Sequence, residues 1–386
     1  MRTRCLLVLL LGSLVVLSSC SWLLEDTISV DPAQGAVHTL VTVRGRGFGD
    51  EQGTGHVAIW ATYADIVYWS DTKIVCRVPV IPTPDGLPVE TYLSVDAPDA
   101  DRYYYESTAF TVVRGILFQT DREGDYEVYV MNPDGSCQTN LSRNYAQDKE
   151  PCWSPDGTRV AFEADIAGRE TDLRVMAADG GGRAALTDSP YHIDGEPRWS
   201  PDGSRIVFYS EWDLSPEIWT VRPDGTGHVQ LTDFDIIGVF SPCWSPDGSQ
   251  VAFSASEGLT ENDLRIVVMS ADGSGATYIT DVGHGDSEPS WSPDGQWIAF
   301  SRNRTDEGDG ALMAVRPDGT NLVRLTGPAM ARPAAPSWSP DGSGIVFSAS
   351  LNGLGPHDIF LLDLDAETVY QLTNDPDVDA SPFWGT

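Results

Sequence analysis

The sequence predicts an all-β protein, a six-bladed β-propeller preceded by an N-terminal immunoglobulin-like β-sandwich. The main observation is a pentapeptide, Trp-Ser-Pro-Asp-Gly, which recurs every 45 to 47 residues and begins at Trp153, Trp199, Trp244, Trp291 and Trp338. A period of this length, with four short strands in each unit, is typical of propeller blades. Ahead of the repeats, short runs in residues 27–113 alternate apolar and polar residues between Gly, Pro and Asp. This pattern indicates a small antiparallel β-domain.

The composition is strongly acidic. The 386 residues include 57 Asp and Glu but only 24 Lys and Arg, so the formal net charge is −33. A protein that binds nucleic acid needs a basic surface for the phosphates, and the sequence contains no such cluster. The charge therefore argues against nucleic acid and favours a cation or a basic partner as the ligand.

The first nineteen residues have the layout of an export signal. Arg2 and Arg4 precede an apolar run from Cys5 to Leu17, and small residues follow. The run is too short to span a bilayer comfortably. We therefore interpret residues 1–19 as a signal peptide.

The residues at the end of this signal, Leu17-Ser18-Ser19-Cys20, resemble a bacterial lipobox. The resemblance implies that Cys20 is the lipid attachment site and that residues 20–26 form a tether. An ordinary cleaved signal is the alternative. Ser21 resembles the outer-membrane sorting pattern, so the expected location is the cell envelope: the outer membrane or periplasm if the organism has two membranes.

Residues 27–113 contain a glycine-rich turn that points to a family. Strand-like residues Thr39 to Val43 lead into Gly45-Arg46-Gly47-Phe48-Gly49, and the segment closes with Ala109-Phe110-Thr111-Val112-Val113. The string resembles the IPT/TIG family of immunoglobulin-like domains, which implies a spacer or adhesion module. We expect the three glycines to supply turn conformations that a side chain would obstruct.

Within residues 114–386 the units share a series of short motifs. Trp-Ser-Pro-Asp-Gly is followed by Ile/Val-Ala-Phe, a Val-Met run, Asp-Gly and Leu-Thr. The series resembles the TolB propeller family, a likeness that is specific for the fold and not for function. The N-terminal domain that accompanies the propeller in TolB is absent, so the partners of TolB do not carry over.

The two ends of the repeat region are expected to share one blade. The first unit starts at Ile116 with its second strand, whereas the chain ends on a single first strand around Pro382 to Trp384. This arrangement predicts a ring closed non-covalently, without exposed sheet edges at the seam. We expect the repeat tryptophans to pack between blades.

Four cysteines remain after Cys5 and Cys20 are set aside: Cys76, Cys137, Cys152 and Cys243. Their spacing matches no metal site, and an exported protein can form disulfides. Cys152 and Cys243 occupy the same position two repeats apart, too far for a bridge, and are expected to be small buried residues. Any other pairing is left open.

Acidic residues recur just before the repeat tryptophans and define the candidate partner-binding site. Aspartates stand five residues before the tryptophan and glutamates three before it, at Asp148, Asp194, Asp286, Asp379, Glu150, Glu196 and Glu288. If this strand is innermost, the carboxylates crowd the channel mouth and attract cations or basic partners. The alternative is that each carboxylate bonds the backbone where the strand begins. The loops after the second and fourth strands of each unit vary, which favours recognition on that face.

His192 and His284 share one register, seven residues before Trp199 and Trp291. We group them with the channel-mouth acids as candidate partner-binding residues. Propeller-type pectate lyases hold a metal with histidines, so a metal-assisted polysaccharide lyase is an alternative function, although no third histidine shares this register. Ca²⁺ bound by carboxylates is a further alternative; otherwise no cofactor and no metal are expected.

The sequence contains no recognisable catalytic set. Peptidases with a TolB-like propeller carry a Gly-x-Ser-x-Gly elbow in a hydrolase domain, and this pentapeptide is absent. The favoured interpretation is a non-catalytic envelope lipoprotein whose propeller binds a protein. The alternatives are a propeller that binds or degrades polysaccharide, with Tyr191, Trp212 and Trp219 stacking on sugars, and a passive structural spacer.

Overall fold

The computed structural model describes residues 28–31, 34–36, 40–45, 48–49, 52–59, 62–79, 89–99, 102–165, 171–188, 192–212, 215–233, 238–256, 258, 263–303, 310–327, 330–351 and 355–385. Cys20, the signal peptide and the tether lie outside these residues. The lipid attachment therefore stays a prediction.

The N-terminal part is a two-sheet sandwich, as predicted. One sheet has the order β1-β3-β7-β6, formed by β1 (Ser29–Asp31), β3 (Leu40–Arg44), β7 (Lys73–Arg77) and β6 (Asp65–Ser70). The other has the order β2-β9-β8-β4-β5, formed by β2 (Gln34–Ala36), β9 (Arg102–Val113), β8 (Val89–Asp99), β4 (His56–Ile59) and β5 (Thr62–Tyr63). Within the second sheet β2 runs parallel to β9, and the other described pairs are antiparallel.

Alternating residues of both sheets fill the sandwich core. Val41, Ile74, Ile59 and Leu93 are fully buried there. At the glycine-rich turn, a Cβ on Gly45 would lie only 2.5 Å from the Phe48 ring. Gly49 has a φ of 85°, which an L-residue rarely adopts. The expectation for Gly45 and Gly49 is thus confirmed, while Gly47 lies outside the described residues.

The rest of the described chain forms six four-stranded antiparallel sheets, the blades of the predicted propeller. Blade 1 contains β10 (Ile116–Thr120), β11 (Glu127–Met131), β12 (Thr139–Asn140) and the distant β33 (Asp379–Phe383); blade 2 contains β13 (Gln147–Trp153), β14 (Arg159–Asp165), β15 (Thr171–Ala177) and β16 (Ala184–Ala185); blade 3 contains β17 (Ile193–Trp199), β18 (Ile206–Trp212), β19 (Ser215–Val221) and β20 (Val229–Gln230).

The other three blades repeat this order. Blade 4 contains β21 (Gly238–Trp244), β22 (Gln250–Ser256), β23 (Leu264–Ser270) and β24 (Thr277–Tyr278); blade 5 contains β25 (Asp286–Trp291), β26 (Ile298–Arg302), β27 (Ala311–Val315) and β28 (Val323–Arg324); blade 6 contains β29 (Met330–Trp338), β30 (Gly344–Leu351), β31 (Asp358–Asp363) and β32 (Thr368–Gln371). The first strand of each blade lies against the first strand of the next around the whole ring, so these are the inner strands.

The chain end closes the ring, as the sequence predicts. β33 pairs antiparallel with β10, with Leu117 opposite Phe383 and Thr120 opposite Asp379. The backbones of Asp121 and Val378 add a hydrogen bond of 3.3 Å beyond the paired residues. Blade 1 is therefore built from both ends of the repeat region.

Every inner strand is interrupted at the same place. In blade 2 the two residues Glu150 and Pro151 stand opposite the single residue Phe162, which makes a β-bulge. The first bulged residue has a positive φ in all six blades, at Glu150, Glu196, Ser241, Glu288, Ala335 and Ser381. The facing phenylalanines are almost completely buried: Phe118, Phe162, Phe208, Phe253, Phe300 and Phe347. The bulge thus fixes one buried ring per blade and turns one side chain towards the axis.

The Asp-Gly turns between third and fourth strands pack closely against the preceding blade. Gly180 of blade 2 packs so closely on blade 1 that a Cβ there would lie 2.1 Å from the Leu141 carbonyl oxygen, and its φ is +79°. Gly182, two residues further on, has a φ of +60° and nothing within 4 Å of a Cβ. The glycine of the turn is therefore required by contact between blades as well as by backbone conformation.

We predict that Gly180→Ala lowers the free energy of unfolding by about 2 to 4 kcal/mol, because strain and a backbone clash coincide. Gly182→Ala is the matched control, with strain of about 1 kcal/mol and no clash. Urea unfolding of both variants measures the difference. Equal losses in the two variants would contradict the close blade contact.

Candidate functional site

The inner strands surround a central channel that contains a cavity of about 90 Å³. Most residues three and one before the repeat tryptophans contribute to its lining: Glu150, Glu196, Ser241, Glu288, Ala335, Arg198, Cys243, Ser290, Ser337 and Phe383. Three carboxylates and one guanidinium thus face a narrow space. The glutamates lie on the channel wall, as expected from the sequence.

The channel glutamates hydrogen-bond neighbouring blades. Glu196 accepts the backbone N–H of Ser241 in the next blade. Glu288 Oε2 accepts the N–H of Ala335 at 2.7 Å and the Ser301 hydroxyl at 2.8 Å. Glu150 accepts the Ser381 hydroxyl across the ring seam. These carboxylates accept hydrogen bonds from the bulged residues or from the strands around them. Their oxygens are therefore used in contacts within the ring.

Arg198 of blade 3 lines the channel and contacts side chains of the two preceding blades. Its guanidinium lies 3.5 Å from Glu150 Oε2 in blade 2 and 5.4 Å from the centre of the Phe383 ring in blade 1. It also donates to the Pro197 carbonyl at 2.9 Å. The channel is therefore narrowed by an ion pair and a cation–π contact in addition to the glutamates.

Several buried glutamates lie near Arg198, so the negative charges there outnumber the positive one. Glu163 lies behind Glu196 and accepts its backbone N–H at 2.7 Å. Burial, and then the charges of nearby glutamates including Glu150, raise the pKa values of Glu163 and Glu196. Burial also raises the pKa of Glu288, against two hydrogen bonds that lower it. The charged forms of these groups thus oppose folding.

We predict that the protein is more stable near pH 5 than near pH 8. A carboxyl group whose pKa is raised by folding stabilises the folded state below its unfolded pKa, and this contribution is lost as the pH rises through the folded pKa. Glu163→Gln should flatten the dependence by about 1 to 3 kcal/mol over this range. The exposed Glu367→Gln is the control, and urea titrations at several pH values provide the test. An unchanged slope in Glu163→Gln would contradict the assignment.

The aspartates five residues before the tryptophan do not crowd the channel mouth, and that expectation is wrong. Asp148, Asp194, Asp286 and Asp379 are all at most 3% exposed. The reason is the bulge, since one extra residue moves every side chain beyond it to the other face of the strand. Asp148 stands opposite Ala164, two residues from Phe162, and so it shares the buried face with that ring.

Asp286 makes the most complete ion pair of this set. The Arg302 guanidinium, from the facing residue of β26, contacts Asp286 through Nε at 2.6 Å and Nη2 at 2.7 Å. Both side chains are buried. The two-pronged contact satisfies both carboxylate oxygens, which makes this a structural pair.

We predict that Arg302→Met destabilises the fold by about 3 to 5 kcal/mol, since it leaves a buried carboxylate without its cation. The double variant Asp286→Asn/Arg302→Met should recover at least half of that loss because the unpaired charge is removed. Thermal unfolding compares the two. A double variant as unstable as the single one would show that packing of Arg302, and not charge, is what matters.

The histidines form no described metal centre. His192 and His284, seven residues before Trp199 and Trp291, are both partly buried. Within the described ranges, no group of three or more His, Cys, Asp or Glu is arranged to hold a metal ion. The geometry thus gives neither the metal-assisted lyase nor the calcium site a set of ligands in this part of the chain.

The four cysteines in the described ranges are free thiols. Cys76, Cys137, Cys152 and Cys243 form no disulfide. Cys152 is buried, as expected, whereas Cys243 is only partly buried because its side chain faces the channel. Burial raises the pKa of the Cys152 thiol to about 11 and that of Cys243 to about 12. Such thiols are poor nucleophiles.

The repeat tryptophans pack between blades, as predicted. Trp153 and Trp291 are 4% exposed, and the Trp153 indole donates to the Gly115 carbonyl of blade 1 at 2.9 Å. Trp219, a candidate for sugar stacking, packs against the core of blades 2 and 3. Tyr191 and the side chain of Trp212 lie outside the described residues.

We call the connections after second and fourth strands, with the strand ends beside them, the loop face. Within its described part, large apolar side chains point to solvent at Tyr145, Ile193, Val282 and Leu351. Tyr145 is as exposed as a free side chain, at 101%. The residues come from four places around the ring, so the face offers dispersed apolar contacts on a rigid frame. The variable loops in the sequence indicate this face, but nothing in the sequence indicates these residues.

Comparisons with known proteins agree with this architecture. Residues 169–334 match the model of the TolB beta propeller domain, and residues 27–112 match that of the IPT/TIG domain. The chain therefore contains a TolB-type β-propeller domain preceded by an IPT/TIG domain. No curated protein matches the sequence.

Solved structures share the fold at low sequence identity. TolB from Acinetobacter baumannii superposes with a TM-score of 0.61 at 17% identity, covering 79% of this chain and 81% of its own. A structure assigned to TolB from Agrobacterium tumefaciens gives 0.55 at 21% identity, covering 69% and 90%. A chain of a nidogen/laminin complex gives 0.56 at 12%, covering 70% and 97%. These likenesses concern the fold alone.

The described part of the chain contains no helix with the length and hydropathy needed to cross a membrane.

Proposed function

We propose that this protein is a non-catalytic lipoprotein of the bacterial cell envelope whose propeller binds a protein partner through the loop face. The observation that carries the proposal is the group of exposed apolar side chains there, above all Tyr145. Aromatic side chains are enriched at protein interfaces, because they supply large contact areas at low entropic cost. The TolB-type domain favours the same conclusion.

The channel supports a structural role and not a chemical one. Its glutamates accept hydrogen bonds from neighbouring blades, and Arg198 forms an ion pair with Glu150 of the neighbouring blade. A hydrolase or lyase needs a carboxylate, thiolate or metal with access to substrate. The channel carboxylates are committed to the ring, which favours binding at the surface over catalysis inside.

The sandwich domain suits the role of a spacer. Ile28, where the described chain begins, packs near Gly45 and Phe48 at one end of the sandwich. Leu40, at the other end of β3, accepts a hydrogen bond from the Cys137 thiol of the propeller at 3.4 Å. The described chain thus begins at the end of the sandwich opposite to this propeller contact, which supports a spacer that would hold the propeller away from the predicted lipid anchor.

A photocrosslinker tests the binding face. We predict that benzoylphenylalanine in place of Tyr145, in the lipidated protein in its native host, yields a light-dependent adduct with one envelope protein. The same substitution at Tyr370, an exposed residue of the outer strand of blade 6, is the matched control. Mass spectrometry identifies the crosslinked protein. With that partner purified, an excess of this protein without the crosslinker must suppress the adduct.

No adduct at Tyr145, Ile193, Val282 or Leu351 would overturn the proposal, as would equal adducts at Tyr145 and Tyr370. Release of the protein into the soluble fraction by Cys20→Ser tests the anchor separately.

A further inference from the structure

A cleft of about 660 Å³ lies between the sandwich domain and blade 1. Leu40 and Arg77 line it on the sandwich side. Tyr129 of β11, Asn140 of β12 and residues of the neighbouring loops line it on the propeller side, with Tyr145 of the loop face at its rim. A volume of this size is within the range of small-molecule sites.

The lining of the cleft is almost entirely polar. Apart from Leu40, every lining residue has a side chain that can form hydrogen bonds. Small-molecule sites are usually lined mostly by apolar groups, so this cleft does not suit an apolar ligand. Its formal charges cancel, since Arg77 and Arg143 are matched by Glu123 and Glu127. The net charge of −33 on the whole chain also repels a polyanion. The lining therefore favours a hydrophilic ligand without charge.

Arg143 supplies hydrogen-bond donors to the cleft. Its backbone has a φ of 46°, a conformation that few residues other than glycine adopt. Asn140 holds it there, because the Arg143 backbone N–H donates to Asn140 Oδ1 and Arg143 Nε donates to the Asn140 carbonyl, both at 3.0 Å. Nη1 and Nη2 of this exposed side chain have no hydrogen-bond partner among the described residues. The guanidinium is thus fixed at Nε, while its two terminal nitrogens are available to a ligand.

Glu123 supplies acceptors in the same network. The Tyr129 hydroxyl donates to its Oε1 at 2.6 Å, and the Asn140 amide donates to its Oε2 at 3.2 Å. A carboxylate can accept about four hydrogen bonds, and Glu123 is exposed, so acceptor positions remain. Asn140 therefore holds a carboxylate and a guanidinium side by side, and both have hydrogen-bonding capacity left for a ligand.

We infer that the cleft binds a short segment of a neutral polysaccharide. A hydroxyl group both donates and accepts hydrogen bonds, so neighbouring hydroxyls of one sugar can accept from Arg143 and donate to Glu123. The fully exposed Tyr145 ring at the rim offers an apolar surface against which the carbon-bound hydrogens of a sugar ring can pack. The inference goes beyond the proposed function, since it requires no protein partner.

The test is isothermal titration calorimetry of the full mature chain with cellotetraose, maltotetraose and tetra-N-acetylchitotetraose, and with a hyaluronan tetrasaccharide as the acidic comparison. We expect at least one neutral sugar to bind with a millimolar or lower Kd and the acidic sugar to bind more weakly. Arg143→Met should weaken binding about tenfold, because it removes both terminal donors. Arg332→Met is the matched control and should bind as wild type does. Arg332 is likewise exposed with a positive φ, of 51°, but it belongs to β29 and does not line the cleft.

Arg77→Met tests the sandwich wall without altering the network around Asn140. It should weaken binding severalfold, whereas Arg44→Met, an exposed position at the other end of β3 from Leu40, should not. Thermal unfolding checks that each variant is folded.

Failure of all three neutral sugars to bind, tighter binding of the acidic sugar, or unaltered affinity in both Arg143→Met and Arg77→Met would each overturn the inference. Loss of the Tyr145 adduct in Arg143→Met, with no sugar bound by the wild type, would assign the cleft to the protein interface instead. The crosslinking at Tyr145 requires no sugar, so the failure of one proposal is distinguishable from the failure of the other.

Discussion

The bulge in each inner strand is the constraint on which the rest of the propeller depends. Two residues of the inner strand face one phenylalanine, and the first of them adopts a positive φ in every blade. This conformation costs about 1 to 2 kcal/mol for a residue other than glycine. The burial of a whole phenylalanine opposite each bulge, worth about 1.5 to 3 kcal/mol, offsets that cost. The side chains of the inner strand then separate into those that face the axis and those that lie between blades.

The separation explains how so acidic a chain can have a closed channel. Glutamates on the bulge bond neighbouring blades, while the aspartates two residues earlier turn away from the axis, and Asp286 and Asp379 pair there with arginine. Donors from other parts of the ring thus contact these carboxylates, as Ser241 does for Glu196 and Arg122 for Asp379. Since the interior is occupied by structural bonds, recognition moves to the loops, where the described apolar side chains are exposed.

The sequence predicted the architecture because its main determinants are local. The tryptophan period gave the blades, and the missing first strand of the first unit gave the closure by β33. It did not predict the burial of Asp148, because simple alternation places residues five, three and one before the tryptophan on the same face. A signal was available, since a proline stands two residues before every repeat tryptophan, as at Pro151 and Pro242, and a proline within a strand indicates a bulge. The exposure of Tyr145 and the cleft beside it depend on contacts between units, which no single repeat encodes.

The seam in blade 1 affects how the propeller folds. Arg122 and Asp379, which meet across it, are 257 residues apart in the chain. Contacts so distant in sequence must overcome a large loss of chain freedom before they contribute, which slows folding. Until they form, β10 is an open edge on which a foreign strand could pair. The time between synthesis and ring closure is therefore the period in which this protein is most exposed to aggregation and proteolysis.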